Sequence, residues 1–215
     1  MPPVSGSRLL LVEGVPGIGK STLLDRLLRH HISRQEEGRL RTVLNLAQTH
    51  TYGPLAQGED DGTLTAAENL AHLERIVGAL EWLVHHARGQ SRPKTFILVD
   101  TLHFTHCVRP GVVEWTSVTP IDRRLAAIEC RLVLLDATDE TVRARTVVAR
   151  AHTEFIQSYA RGRFGSDERQ FVEHFTRERD RFRVMFEASA MDKMRLAAEE
   201  SIEETAAAAA RFWLT

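Results

Sequence analysis

Apolar residues come along this chain in short β-rich runs, separated by longer stretches at helical spacing. Arg8 to Glu13 reads as a short apolar strand bounded by glycine. Lys20 to His31 then sets Leu23, Leu24, Leu27 and Leu28 on one helical face. Arg41 to Leu46 is a second strand, and the following AQTHTYGPLAQGEDDG reads as loop, with turn signals at Gly53-Pro54 and Asp61-Gly62. Thr65 and Glu68 form a capping box ahead of a long helix whose apolar face is Leu70, Leu73, Val77, Leu80 and Val84. Thr95 to Asp100 is a buried strand ending in a carboxylate, and residues 101–116 follow no period. A helix is predicted to start at Thr119 with Pro120 in its first position. Arg131 to Asp136 is the fourth strand, and Thr138 caps a helix running to about Arg150. The pattern breaks from Ala151 to Gly165. Ser166 and Asp167 then open a helix carrying Phe171, Val172, Phe175, Phe182, Met185 and Phe186 on one side. Lys193 to Ala198 is the last and weakest strand, and Ser201 with Glu204 caps the Ala-rich terminal helix.

Five strands alternating with helices imply an α/β fold, a parallel sheet with helices on both faces. Ligands in such sheets bind beyond the C-terminal strand ends. Glu13-Gly14, Asp100 and Asp136 stand at those ends.

Composition narrows the function classes. The chain has 215 residues, 43% of them hydrophobic, enough for a sizeable core in one domain with an appended lid. The formal net charge is −1, without a dense Lys/Arg block, so nucleic acid is not the expected partner. No apolar run is long enough for a signal sequence or a membrane span, and a cytoplasmic location without membrane association is expected. Cys107 and Cys130 do not make a disulfide framework and read as small buried hydrophobes. The oligomeric state is left open, with a homodimer among the expectations.

The chemistry is concentrated in EGVPGIGKST, Glu13 to Thr22. Gly14, Gly19, Lys20 and Ser21 fit G-x-x-x-x-G-K-[ST], with Val15, Pro16, Gly17 and Ile18 between them. A strand lies before and a helix after, as the motif requires. Glycines let successive N–H groups turn inward on an anion, and the helix N-terminus adds its positive end. Lys20 is expected to reach the β- and γ-phosphates of ATP, Ser21 to ligate Mg²⁺, and Thr22 to face the α-phosphate side. Asp100 is the second acidic position, placed to hold Mg²⁺ or its water or to take a proton from a hydroxyl. Asp136 reads as structural.

EGVPGIGKST, TFILVD, RLVLLDATDETVRAR and the arginine-bearing segment after them resemble the nucleoside monophosphate kinase group, its thymidylate kinase-like members in particular. The resemblance implies one P-loop kinase-like domain over residues 1–215, strand order 2-3-1-4-5, and a lid at about 145–165. It implies transfer of the γ-phosphoryl group of ATP to a small-molecule acceptor, with Arg145, Arg150, Arg161 and Arg163 as lid arginines. Gly162 and Gly165 would make that segment pliable.

The acceptor half departs from the group. Thymidylate kinases follow the third-strand Asp with Arg, where this chain has Thr101. Arg75, on the long helix, is the remaining candidate for an acceptor phosphate. His103 and Phe104 are expected to line the acceptor pocket; His103, His106 and Cys107 lack the second half of a metal site. The GEDDG run (58–62) reads as a solvated loop. A hydroxyl-bearing metabolite or antibiotic is the alternative acceptor, since some small P-loop phosphotransferases use an Asp as base. A GTPase switch would carry N-K-x-D and D-x-x-G, and neither is present. A non-catalytic ATP-binding regulator is the third reading.

Overall fold

The computed structural model describes residues 7–32, 41–88, 94–109, 113–153 and 167–214. Its strands are β1 (Ser7–Glu13), β2 (Arg41–Leu46), β3 (Lys94–Asp100), β4 (Arg131–Asp136) and β5 (Asp192–Ala197). They form one all-parallel sheet in the order β2-β3-β1-β4-β5. Successive strand residues point to opposite faces, yet Leu9–Val12, Ile97–Val99 and Leu132–Leu135 are all buried, so both faces of the central strands are covered. β2 and β5 are the edges and are more exposed, with Val43 39% accessible.

The helices are α1 (Lys20–Arg26, continued by a wide π turn over Leu27–Ile32), α2 (Gln48–Thr51), α3 (Ala56–Asp60), α4 (Ala66–Arg88), α5 (His103–Val108), α6 (Trp115–Ala127), α7 (Asp139–Thr141), α8 (Glu168–Ala188) and α9 (Ile202–Leu214). A π-helical turn, Val142–Val147, and a 3₁₀ turn, Val148–Arg150, extend α7. α1 packs with α9, while α4, α5, α6 and α8 pack among themselves. Leu73, Val77, Leu80 and Val84 of α4 and Phe171, Phe175 and Phe182 of α8 are buried, as their helical spacing requires.

The capping signals act as read. Thr65 and Glu68 exchange side-chain and backbone hydrogen bonds, and Ser201 Oγ accepts from the Glu204 amide. Thr138 Oγ1 accepts from the Thr141 amide, and Asp167 caps α8.

Two elements differ from expectation. The loop after β2 is folded into α2, a 3₁₀ turn over Gly53–Leu55, and α3, because Tyr52 and Leu55 are buried and pull the segment onto the core. The helix expected at Thr119 starts at Trp115, leaving Pro120 inside α6. Pro120 lacks the N–H that would bond back to Thr116, and burial of Val118, Ile121 and Leu125 on the core outweighs that loss. Among the described residues no helix is long and apolar enough to cross a membrane.

α5 buries every one of its residues, including two histidines. His106 Nε2 donates to the Thr51 carbonyl at 3.1 Å and its Nδ1 meets the Asn69 side-chain amide. Burial, with lesser opposition from the Thr51 bond, holds its pKa down to about 3. The unfolded chain takes up that proton near the ordinary value of about 6.5. Between the two values the unfolded state binds the extra proton, so stability falls as pH falls below about 6.5. This group should contribute a slope approaching about 1.4 kcal/mol per pH unit in that window. Urea unfolding from pH 4 to 7 checks it: His106→Gln should remove one proton from the slope, and an unchanged slope would refute the assignment.

Candidate active site

The loop between β1 and α1 is shaped by its glycines. Gly14 and Gly19 have φ of 143° and 112°, and a Cβ on Gly14 would fall 2.5 Å from the Leu135 carbonyl oxygen. Thr146 Oγ1 donates to the Pro16 carbonyl at 2.7 Å, tying the loop to the π turn after β4. Lys20, in the first turn of α1, is 7% exposed and donates to the Gly14 and Val15 carbonyls at 2.8 and 3.0 Å. Burial lowers its pKa most; Asp100 and Glu13 oppose that, while Arg109 and Arg150 add to it.

Ser21 Oγ donates to Asp100 Oδ2 at 2.8 Å, so the first turn of α1 and the end of β3 are joined through these two side chains. The other carboxylate oxygen, Oδ1, is buried and accepts no hydrogen bond. Ser21 and Asp100 line one cleft of about 300 Å³ with Lys20, Gln48, Arg109 and Arg150. The Arg150 pKa is lowered by burial and then by Arg109. Three cations thus converge on the loop, an arrangement suited to a polyanion.

A second cavity, of about 260 Å³, shares Gly17, Gly19 and Thr22 with the first and is walled by Leu135, Arg145, Ala198, Ile202 and Thr205. Arg145 Nη1 donates to the Ala198 carbonyl at 2.7 Å there. Arg145 and Arg150 therefore serve different cavities. Arg161 and Arg163 lie outside the described residues.

The acceptor candidates move most. Arg75 is exposed, donates from Nε to the Ala71 carbonyl one turn back, and lines neither cavity. His103 and Phe104 are wholly buried and line neither as well. Phe104 packs against Trp115 and Phe182, and His103 Nε2 donates to Asp122 Oδ1 at 3.1 Å. They are turned inward because α5 begins on the carboxylate of Glu13. Glu13, wholly buried at the end of β1, accepts from the Leu102 and Phe104 amides at 2.8 and 3.1 Å and from Thr105 Oγ1 at 3.0 Å. Burial raises its pKa, and His103 and these donors counter part of that rise. Among the described residues no cluster of His, Cys, Asp or Glu could hold a metal, so His103, His106 and Cys107 form none. Asp136 pairs with Arg183, at 2.9 Å from Nε.

Sequence reading missed Gln48 and Arg109. Gln48 opens α2 just past the C-terminal end of β2, a place the strand-end rule marks. Arg109 follows α5, which carries it back to the cleft and over the Tyr52 ring, 5.1 Å from its centroid. Only recognition of α5 as a helix could have found it.

The all-parallel sheet in the order β2-β3-β1-β4-β5 is an α/β fold with P-loop NTPase-like strand order. No protein-family model matches the chain, and no curated protein matches it. Among solved structures, the chain is similar to the crystal structure of YorR protein from Bacillus subtilis in complex with phosphorylated GDP. The TM-score is 0.53 at 13% identity, covering 94% of this chain and 92% of that one. At that identity the likeness speaks to the fold.

The loop geometry makes a graded prediction. Gly19→Ala should cost about 1–3 kcal/mol for its backbone angle alone. Gly14→Ala should cost more, since its Cβ also meets a backbone carbonyl while that of Gly19 meets only Leu135 Cδ2 at 4.0 Å. Urea denaturation compares the two, and equal losses would refute the packing argument.

Proposed function

We propose that the chain is an ATP-dependent phosphotransferase that moves the γ-phosphoryl group to a small-molecule acceptor. The observation that carries this reading is the convergence of Lys20, Arg109 and Arg150 on a loop whose Ser21 is hydrogen-bonded to Asp100. The likeness to YorR supports a nucleotide in the same fold. ATP phosphates would lie along Gly14 to Thr22, with the base in the cavity walled by Arg145, Ala198 and Ile202. Lys20, Arg109 and Arg150 neutralise charge that develops on the transferring group. Arg161 and Arg163 are proposed to add to this as lid residues.

Mg²⁺ fits the donor set, because Ser21 and Asp100 offer hard oxygens and Asp100 Oδ1 is a buried acceptor without a donor. Bound there, Mg²⁺ would supply charge neutralisation to the phosphates.

The resemblance to thymidylate kinases suggests a nucleoside monophosphate as acceptor. A hydroxyl-bearing acceptor is favoured by three observations: Thr101 replaces the expected Arg, Arg75 lies away from the cleft, and Asp100 Oδ1 is open. In that case the acceptor oxygen bonds to the γ-phosphorus as the bond to the bridging oxygen breaks. The electron pair leaves on ADP, and the hydroxyl proton passes to Asp100 Oδ1, which then serves as base in place of a Mg²⁺ ligand.

Lys20→Ala should lower ATP-dependent transfer by about 10²-fold or more with the fold retained. Asp100→Asn should reduce kcat far more than it weakens ATP binding. A screen of ATP consumption over nucleoside monophosphates and hydroxyl compounds, with calorimetric ATP binding, checks both. Full turnover by Lys20→Ala would sink the phosphotransferase reading. ATP binding without turnover on any acceptor would favour a regulator.

A further inference from the structure

A second carboxylate stands beside the cleft without a hydrogen-bond donor. Glu178 of α8 is 3% exposed, and among the described residues neither of its oxygens accepts a hydrogen bond. His174 Nε2 sits 3.3 Å from Oε1, one turn earlier, and is an ionic partner only when protonated. The rest of this helix stripe is Phe171, Phe175 and Phe182, so the carboxylate interrupts an otherwise apolar face. A buried carboxylate is costly unless a donor satisfies it, and a bound ligand can supply one.

The surroundings say what that could be. Glu178 lines a pocket of about 10 Å³ with Lys20, Gln48, Thr101, Thr105 and Arg109, adjoining the phosphate loop at Gly14 and Pro16. That space admits a single small polar group. Lys20 and Arg109 bring positive charge to the phosphate-loop side of this pocket, but a phosphate of an acceptor placed against Glu178 would face it as a like charge. A neutral hydroxyl would donate but leave the buried charge in place, whereas an ammonium both donates and neutralises. The backbone adds a mark of its own at this wall, since Thr101 is held at φ 62°, unusual for a β-branched residue.

We propose that Glu178 receives the amino group of the acceptor, and that the acceptor is an amino alcohol. Its hydroxyl faces Asp100 and its nitrogen enters the Glu178 pocket. The inference rests on the phosphotransferase reading and names its substrate class. It makes Glu178 a specificity residue: it selects for a positive nitrogen and against an acceptor phosphate at the same point.

The test is ATP consumption by the full chain on matched pairs: glucosamine against glucose, ethanolamine against ethylene glycol, an aminocyclitol against the corresponding cyclitol, with AMP, CMP and dTMP alongside. At least one amine member should exceed its hydroxyl twin by about tenfold or more in kcat/KM. Glu178→Gln should abolish that preference through the acceptor KM, leaving the KM for ATP unchanged and Tm no lower than wild type. Turnover of monophosphates in preference to amines, turnover of no amine, or an undiminished amine preference in Glu178→Gln would overturn the proposal. So would a loss of preference that tracks a fall in Tm. Calorimetric ATP binding separates the two readings. Absence of binding defeats the phosphotransferase itself, whereas binding with monophosphate turnover defeats only the amino-alcohol inference.

Discussion

Glu13 carries a carboxylate entirely out of water at the C-terminal end of the central strand. Such a group is tolerated only where donors surround it. Here the donors are the Leu102 and Phe104 amides and the Thr105 hydroxyl. That demand fixes where α5 begins and which way it turns. Arg109 reaches the cleft from the far end of the same helix, and Thr101 and Thr105 wall the pocket beside it. One buried charge next to the phosphate loop thus orients the opposite wall of the site.

The cleft holds its cations at some cost. Lys20 and Arg150 both lose affinity for their protons through burial, and Arg109 adds repulsion to each. Groups already desolvated and aimed need little reorganisation when an anion arrives. Asp100 and Glu178 place acceptor oxygens at the same cleft and the pocket beside it. Opposite charges thus stand side by side: Asp100 lines the cleft with Lys20, Arg109 and Arg150, and Glu178 lines the pocket with Lys20 and Arg109.

Much of the fold was legible in the chain. The bounds of β2 and β4, the capping pairs Thr65–Glu68 and Ser201–Glu204, and the apolar faces of α4 and α8 follow from local rules that tertiary packing did not overrule. The phosphate loop was legible because its motif, strand and helix are contiguous. The wall opposite the loop was not. Its residues come from α2, α5 and α8, distant in sequence, and α5 has no helical period since all of its faces are buried. His103 and Phe104 looked like site residues from their place after Asp100, but the pull of Glu13 turns them into the core. Glu178 was hidden in an apolar stripe, and only its burial without a donor distinguishes it.

The π turn over Val142–Val147 presents Arg145 to one cavity, and the 3₁₀ turn after it presents Arg150 to the other. Thr146, between them, is bonded to the Pro16 carbonyl of the loop. The two cavities therefore share one partition, the stretch from Arg145 to Arg150. A ligand that shifted this stretch from one side would reshape the wall seen from the other, and by thermodynamic reciprocity any such influence would run equally in both directions.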